Sequence, residues 1–228
     1  MNTKRISGIC GVLYVLTVLV FPICSLLLKG QMVDAGNIFG TFSNLATNAI
    51  QYRLAIACDF LSVAAVMGLV FSLFAILKPV SAYPALLGLG LRIGEVVIQA
   101  CAKVPDYLLL RLSQSTSSSG SSIVGIENLA QMLIAGADQA LWLSFVFLAI
   151  GSLFNNYLFY KSKMIPYALA TFGLISTATF TVGSVAALVI NLPEFVRMGL
   201  MFPLVLFELI LGFYLTMFGI KEKARRKQ

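Results

Sequence analysis

The sequence predicts an all-α polytopic membrane protein, with six transmembrane helices in one bundle and both termini on the cytoplasmic side. Three observations carry that reading. Of the 228 residues, 59% are hydrophobic and only 11% are charged. A soluble domain averages about 25% charged residues, so this surface is not built to face water. Six apolar stretches of roughly 20 residues follow one another, and each can cross about 30 Å of hydrocarbon at 1.5 Å per residue. The basic residues are also unevenly divided between the two sides. With the N-terminus inside, the cytoplasmic side carries Lys4, Arg5, Lys78, Lys161, Lys163 and five residues of the tail 221–228, ten in all. The outer side carries Lys29, Arg53, Lys103, Arg111 and Arg197, five in all. Positive charge retained in the cytoplasm sets that orientation, in the cell membrane.

The net charge of +7 follows the same logic. Its basic groups stand at segment ends, where lipid headgroups meet them, so membrane lipids are the expected surroundings and nucleic acid is not an expected partner. The chain contains no histidine. That excludes haem or zinc held by imidazole and every Ser-His or Cys-His dyad. No catalytic residue, cofactor or metal site is expected, and an enzyme is the least favoured class. The cysteines Cys10, Cys24, Cys58 and Cys101 lie singly in apolar segments and read as small hydrophobes. Cys24, Cys58 and Cys101 share an outer level, which leaves a disulfide open.

Each element follows from its residues. Residues 6–28 form the first span. The run is longer than the 7–15-residue apolar core of a signal peptide, which predicts a retained helix, and Pro22 predicts a kink. Residues 29–53 are a polar connection broken by Gly30, Gly36 and Gly40, with a short interfacial helix expected over 41–51. The second span is 54–77, and the turn Lys78–Pro84 leads to the third, 84–112, which Pro105 bends or ends near Val104. Residues 113–122 are a Ser-rich flexible linker. Residues 123–136 alternate Ile126, Leu129 and Leu133 with Glu127, Asn128 and Gln131, which predicts an amphipathic surface helix. Spans four to six are 138–160, 165–190 and 200–220.

The third span holds the informative residues. Arg92, Glu95, Gln99, Lys103 and Asp106 are separated by three, four, four and three residues, which puts all five on one helical face. A charge at mid-bilayer costs about 2.5–3.5 kcal/mol on insertion scales, so this face must turn toward protein or water. Counting from the inner boundary places Arg92 at about 12 Å, Glu95 at about 17 Å and Glu208 of the sixth span at about 18 Å. Two groups result. A deep polar site is expected from Arg92, Glu95, Gln99 and Glu208, and an outer vestibule from Arg53, Asp59, Lys103, Asp106 and Asp138.

Several of these residues lie in longer recognisable stretches. They are Ile6–Tyr14, Tyr52–Leu54, Leu77–Val80, Leu91–Glu95, Leu158–Pro166 with Phe172–Leu174, and Pro203–Gly212. In them the chain resembles the bacterial and archaeal multi-pass membrane proteins grouped as domain of unknown function 4386. The resemblance implies six spans, an Arg followed three residues later by Glu in the third, and a Glu in the last; Arg92, Glu95 and Glu208 stand at those places. Where that family carries Pro-Arg before the fifth span, this chain has Pro166-Tyr167. The resemblance implies no reaction.

Two carboxylates and one guanidinium leave one negative charge over. The functional expectation is therefore a small transporter or carrier that binds a proton, ion or small molecule there. The alternative is a non-catalytic membrane scaffold or accessory subunit whose buried charges only fix helix packing.

Overall fold

The structure is a computed structural model, and it describes residues 3–30, 32–116, 123–190 and 192–221. Part of the Ser-rich linker and all but the first residue of the basic tail lie outside the described residues. The described chain is helical throughout its ordered elements, and six helical segments are long and apolar enough to cross a membrane.

The first span is α1 (Thr3–Val15), a π-helical turn (Leu16–Val20) and α2 (Phe21–Lys29). Pro22 supplies no N–H to the preceding turn, and the wider π turn ahead of it accommodates the ring. Next come α3 (Ile38–Thr47) and α4 (Ala49–Leu77). Asn37 caps α3, its side-chain oxygen accepting from the Gly40 amide at 2.8 Å. The third span is divided into α5 (Ala82–Cys101) and α6 (Val104–Thr116). The missing N–H of Pro105 leaves the Cys101 carbonyl without its usual donor, and α5 ends there. Then follow α7 (Ile123–Ser162), α8 (Tyr167–Val189) and α9 (Glu194–Met217).

The spans form a closed ring. α5 packs on α7, α7 on α8, α8 on α9, α9 on α1, α1 on α4, and α4 back on α5. Sequence order is thus ring order, and the third and sixth spans stand across the ring from each other. Their inward faces share one core that includes Tyr14, Leu73, Phe159, Phe180, Phe207 and Leu211. Close approach depends on glycine at the α1–α9 crossing, where a Cβ on Gly11 would lie 2.5 Å from the Thr216 backbone nitrogen and 2.6 Å from the Gly212 carbonyl oxygen.

A second tier stands on the end of the bundle away from the termini. At 40 residues α7 is about 60 Å long, twice the hydrocarbon thickness. Its N-terminal half packs with α3, the first turns of α4, and α6 around Leu45, Tyr52, Leu109, Leu110 and Ala130. This small cap differs from the loops and surface helices expected from the sequence. The segment 123–136 is not a separate surface helix but runs unbroken into the fourth span. Gly136 costs the helix about 1 kcal/mol, which the packing of Leu133 and Ile126 against the cap core offsets. The short helix expected over 41–51 starts three residues earlier and ends at Thr47, and the second span begins at Ala49 rather than 54.

Candidate functional site

The deep site is buried within the ring of helices. Arg92 and Glu95 are 3% and 1% exposed, and Glu208 is 8% exposed. All three side chains are therefore largely shielded by the surrounding helices. Arg92 Nη1 lies 2.9 Å from Glu95 Oε2, the i,i+3 contact that the spacing predicts. Gln99 extends the same face, its Nε2 donating to Glu95 Oε1 at 3.0 Å. Arg92 also reaches across to α7, where Nη1 lies 3.5 Å from Ser152 Oγ and the alkyl part of its side chain crosses Gly151. Among the described residues, Arg92 Nε and Glu95 Oε2 find no aligned hydrogen-bond partner. The pair is held by charge more than by hydrogen-bond geometry.

Glu208 enters from α9 on the far side of the ring. It lies within the electrostatic reach of Arg92 and Glu95. Among the described residues, however, no Lys or Arg comes within ion-pair distance of it. All three charged groups are buried, but Arg92 bonds one carboxylate and leaves the other. Tyr14 of α1 is buried as well, within the electrostatic reach of Glu208, Arg92 and Glu95.

Sequence reasoning passed over the neutral part of this site. Ser152, Asn155 and Asn156 of α7 are buried on one face, and Asn156 Nδ2 donates to Thr177 Oγ1 of α8 at 2.6 Å. A search confined to charged residues misses such groups. Two adjacent asparagines amid the apolar fourth span were the available signal.

The outer residues divide differently from the expected vestibule. Asp59 and Asp106 are joined by Lys29, whose Nζ lies 3.0 Å from Asp59 Oδ2 and 2.8 Å from Asp106 Oδ2. Lys103 approaches Asp59 Oδ2 at 3.4 Å, and the Tyr52 hydroxyl approaches Asp106 Oδ1 at 3.4 Å. Arg53 and Asp138 are exposed and take no part in these pairs. The result is a network of two cations and two anions, charge-balanced, at the seam between bundle and cap. Lys29, its centre, stands in the sequence only as a charge flanking the first span. Because Lys29 bridges α4 and α6 while Lys103 touches Asp59 alone, Lys29→Met is expected to cost about 1–3 kcal/mol and Lys103→Met less. Chemical denaturation of the two variants in one detergent checks that order.

None of the curated proteins and none of the solved structures matches the chain. Residues 9–219, nearly the whole six-span ring and its cap, match the family described as Domain of unknown function (DUF4386), and the chain belongs to that family.

Proposed function

We propose that this protein is a small carrier of the cell membrane whose central carboxylates exchange a proton, with Glu208 as the exchanging group. One observation supports this above the rest: Glu208 is buried, and among the described residues no Lys or Arg pairs with it, while Arg92 is already engaged with Glu95. An isolated ionised carboxylate in a dry interior is costly by several kcal/mol, and that cost is removed when the group takes up a counter-charge. A proton needs one oxygen, whereas hard cations such as Ca²⁺ or Mg²⁺ collect about six oxygen ligands or more. Arg92 would hold Glu95 in place through their ion pair, and Glu208 would load and unload as the ring opens to either side. The excess of Lys and Arg on one side supports an orientation with both termini in the cytoplasm.

A second reading rests on a different observation. The Arg92–Glu95 pair and the contact with Ser152 tie α5 to α7 in closed packing, as a structural strut in a scaffold or accessory subunit would.

Proteoliposomes separate the two. With an imposed potential and a pH-sensitive dye inside, wild type is expected to pass protons, and Glu208→Gln is expected to reduce that flux at least tenfold while eluting as a folded, monodisperse protein. Flux equal in both proteins, or absent in wild type, excludes the carrier and leaves the scaffold.

A further inference from the structure

The cap contains a cavity of about 550 Å³ between α6 and α7, within the ~300–1,000 Å³ of small-molecule sites. Leu108 and Leu112 of α6 and Leu129 and Leu133 of α7 line it. The residues of each pair are four apart, so each helix presents a ridge of two leucines on one face. The two ridges form the walls of one slot. Leu108 and Leu129 are 47% and 48% exposed at its rim, while Leu112 and Leu133 pack onto the cap core. The polar lining is Arg111, Gln114 and Ser115, all from α6.

Contact with lipid tails does not account for these apolar walls. About 20 residues of helix cross the hydrocarbon. Counted from Ser162, α7 leaves it near Trp142, where the Arg197 guanidinium lies 4.7 Å from the ring centroid of Trp142. Tryptophan and a basic residue are the side chains expected at a membrane interface. The same count from Ala82 reaches Cys101, the last residue of α5. Leu133 and Leu129 stand beyond that level by about 14 Å and about 20 Å of helix, and all of α6 follows it. Leucines scattered singly over a watery surface need no account, but four that line one cavity mark a site for an apolar ligand.

Charge and length decide which ligand. Arg111 is exposed, and among the described residues no carboxylate lies within ion-pair distance of it. Its guanidinium offers paired N–H donors that match a carboxylate. Each leucine pair spans only about 6 Å of helix, short of the i to i+7 row that seats a docking helix. We infer that the cavity binds a single-chain fatty acid, its acyl chain between the leucine pairs and its carboxylate at Arg111, with Gln114 and Ser115 as further polar neighbours. The site lies in the cap, apart from the deep carboxylates, and does not depend on the carrier reading.

The test uses the full chain in phosphatidylcholine nanodiscs with dodecanoate carrying a diazirine near its methyl end. After irradiation, peptide mass mapping is expected to find label in α6 and in the N-terminal part of α7. Excess unlabelled dodecanoate should remove that label. Dodecanol, equally apolar but uncharged, should compete about tenfold more weakly, the loss of one charge-assisted contact. Label on the lipid-facing spans does not saturate and supplies the internal reference. Arg111→Gln should raise the dodecanoate needed for half-maximal cap labelling about tenfold. Leu108→Trp, which fills the slot from its rim, should abolish cap labelling. Both side chains are exposed, and unchanged labelling of the spans with a single elution peak shows that each variant is folded. The inference is overturned if cap labelling resists excess dodecanoate, if dodecanol competes as well as dodecanoate, or if Arg111→Gln labels like wild type.

Discussion

Replacing Arg92 with leucine is expected to destabilise the protein by roughly 3–5 kcal/mol, the range found when one member of a buried ion pair is removed. Arg92 is 3% exposed and is the cation within ion-pair distance of Glu95, itself 1% exposed. Its loss leaves two carboxylates in a dry interior. The guanidinium also carries the contact with Ser152 on α7, so the ring loses a tie between its third and fourth spans. Arg92→Lys keeps the charge but not the planar fork or its reach, and should recover part of the loss. The double substitution Arg92→Leu with Glu95→Leu should be markedly less harmful than Arg92→Leu alone, because the stranded charge goes with its partner. Unfolding of the four proteins in one detergent forms the cycle. Additive effects would mean that Arg92 and Glu95 do not hold each other.

The second large effect is steric. Gly11→Leu is expected to break the docking of α1 on α9 and to cost at least the 1–3 kcal/mol typical of overpacking. The obstruction is backbone: the Thr216 nitrogen at 2.5 Å and the Gly212 carbonyl oxygen at 2.6 Å from a Cβ on Gly11 cannot rotate away as a side chain can. Even Gly11→Ala should lower the thermal midpoint. Gly8 lies one turn earlier on the same helix, and a Cβ there meets nothing within 4 Å. Gly8→Ala is therefore the control, and its helix propensity gain makes it neutral or slightly stabilising. Equal loss at both positions would contradict the crossing described.

How far the molecule was legible in its sequence depended on which forces were local. The polar spacing of the third span put Arg92, Glu95 and Gln99 on one inward face, because helical periodicity alone dictates which side chains share a face. The same face was expected to continue through Lys103 and Asp106. At the helix break at Ala102–Lys103 that face passes to the cap seam, where Lys103 approaches Asp59 and Asp106 pairs with Lys29. Pro105 marked that break in the sequence, but not its consequence for side-chain partners. Lys29 was hidden for a different reason. A lysine ending a span reads as a topology signal, and only the return of α4 and α6 to the same level shows it bridging two aspartates. The cap was hidden because Gly136 and a polar-apolar alternation over 123–136 look like a boundary. Long-range burial of Leu109, Leu110 and Ala130 decided the matter, and no local pattern records that.

Glu95 and Glu208 stood at matching depths in the sequence, yet depth says nothing of azimuth. The closed ring sets the third and sixth spans across from each other, with both carboxylates buried and Arg92 paired with Glu95. The carrier reading therefore depends on Glu208 exchanging its own proton. Infrared difference spectroscopy in lipid between acidic and alkaline buffer reads this directly, because a protonated carboxyl has a carbonyl stretch that a carboxylate and an amide lack. Expected is a component of the carboxyl band that is present in wild type and in Glu95→Gln but missing from Glu208→Gln, the rest of the band coming from the other acidic residues. Identical difference spectra from wild type and Glu208→Gln would contradict it, since Glu208 would then hold one charge state throughout.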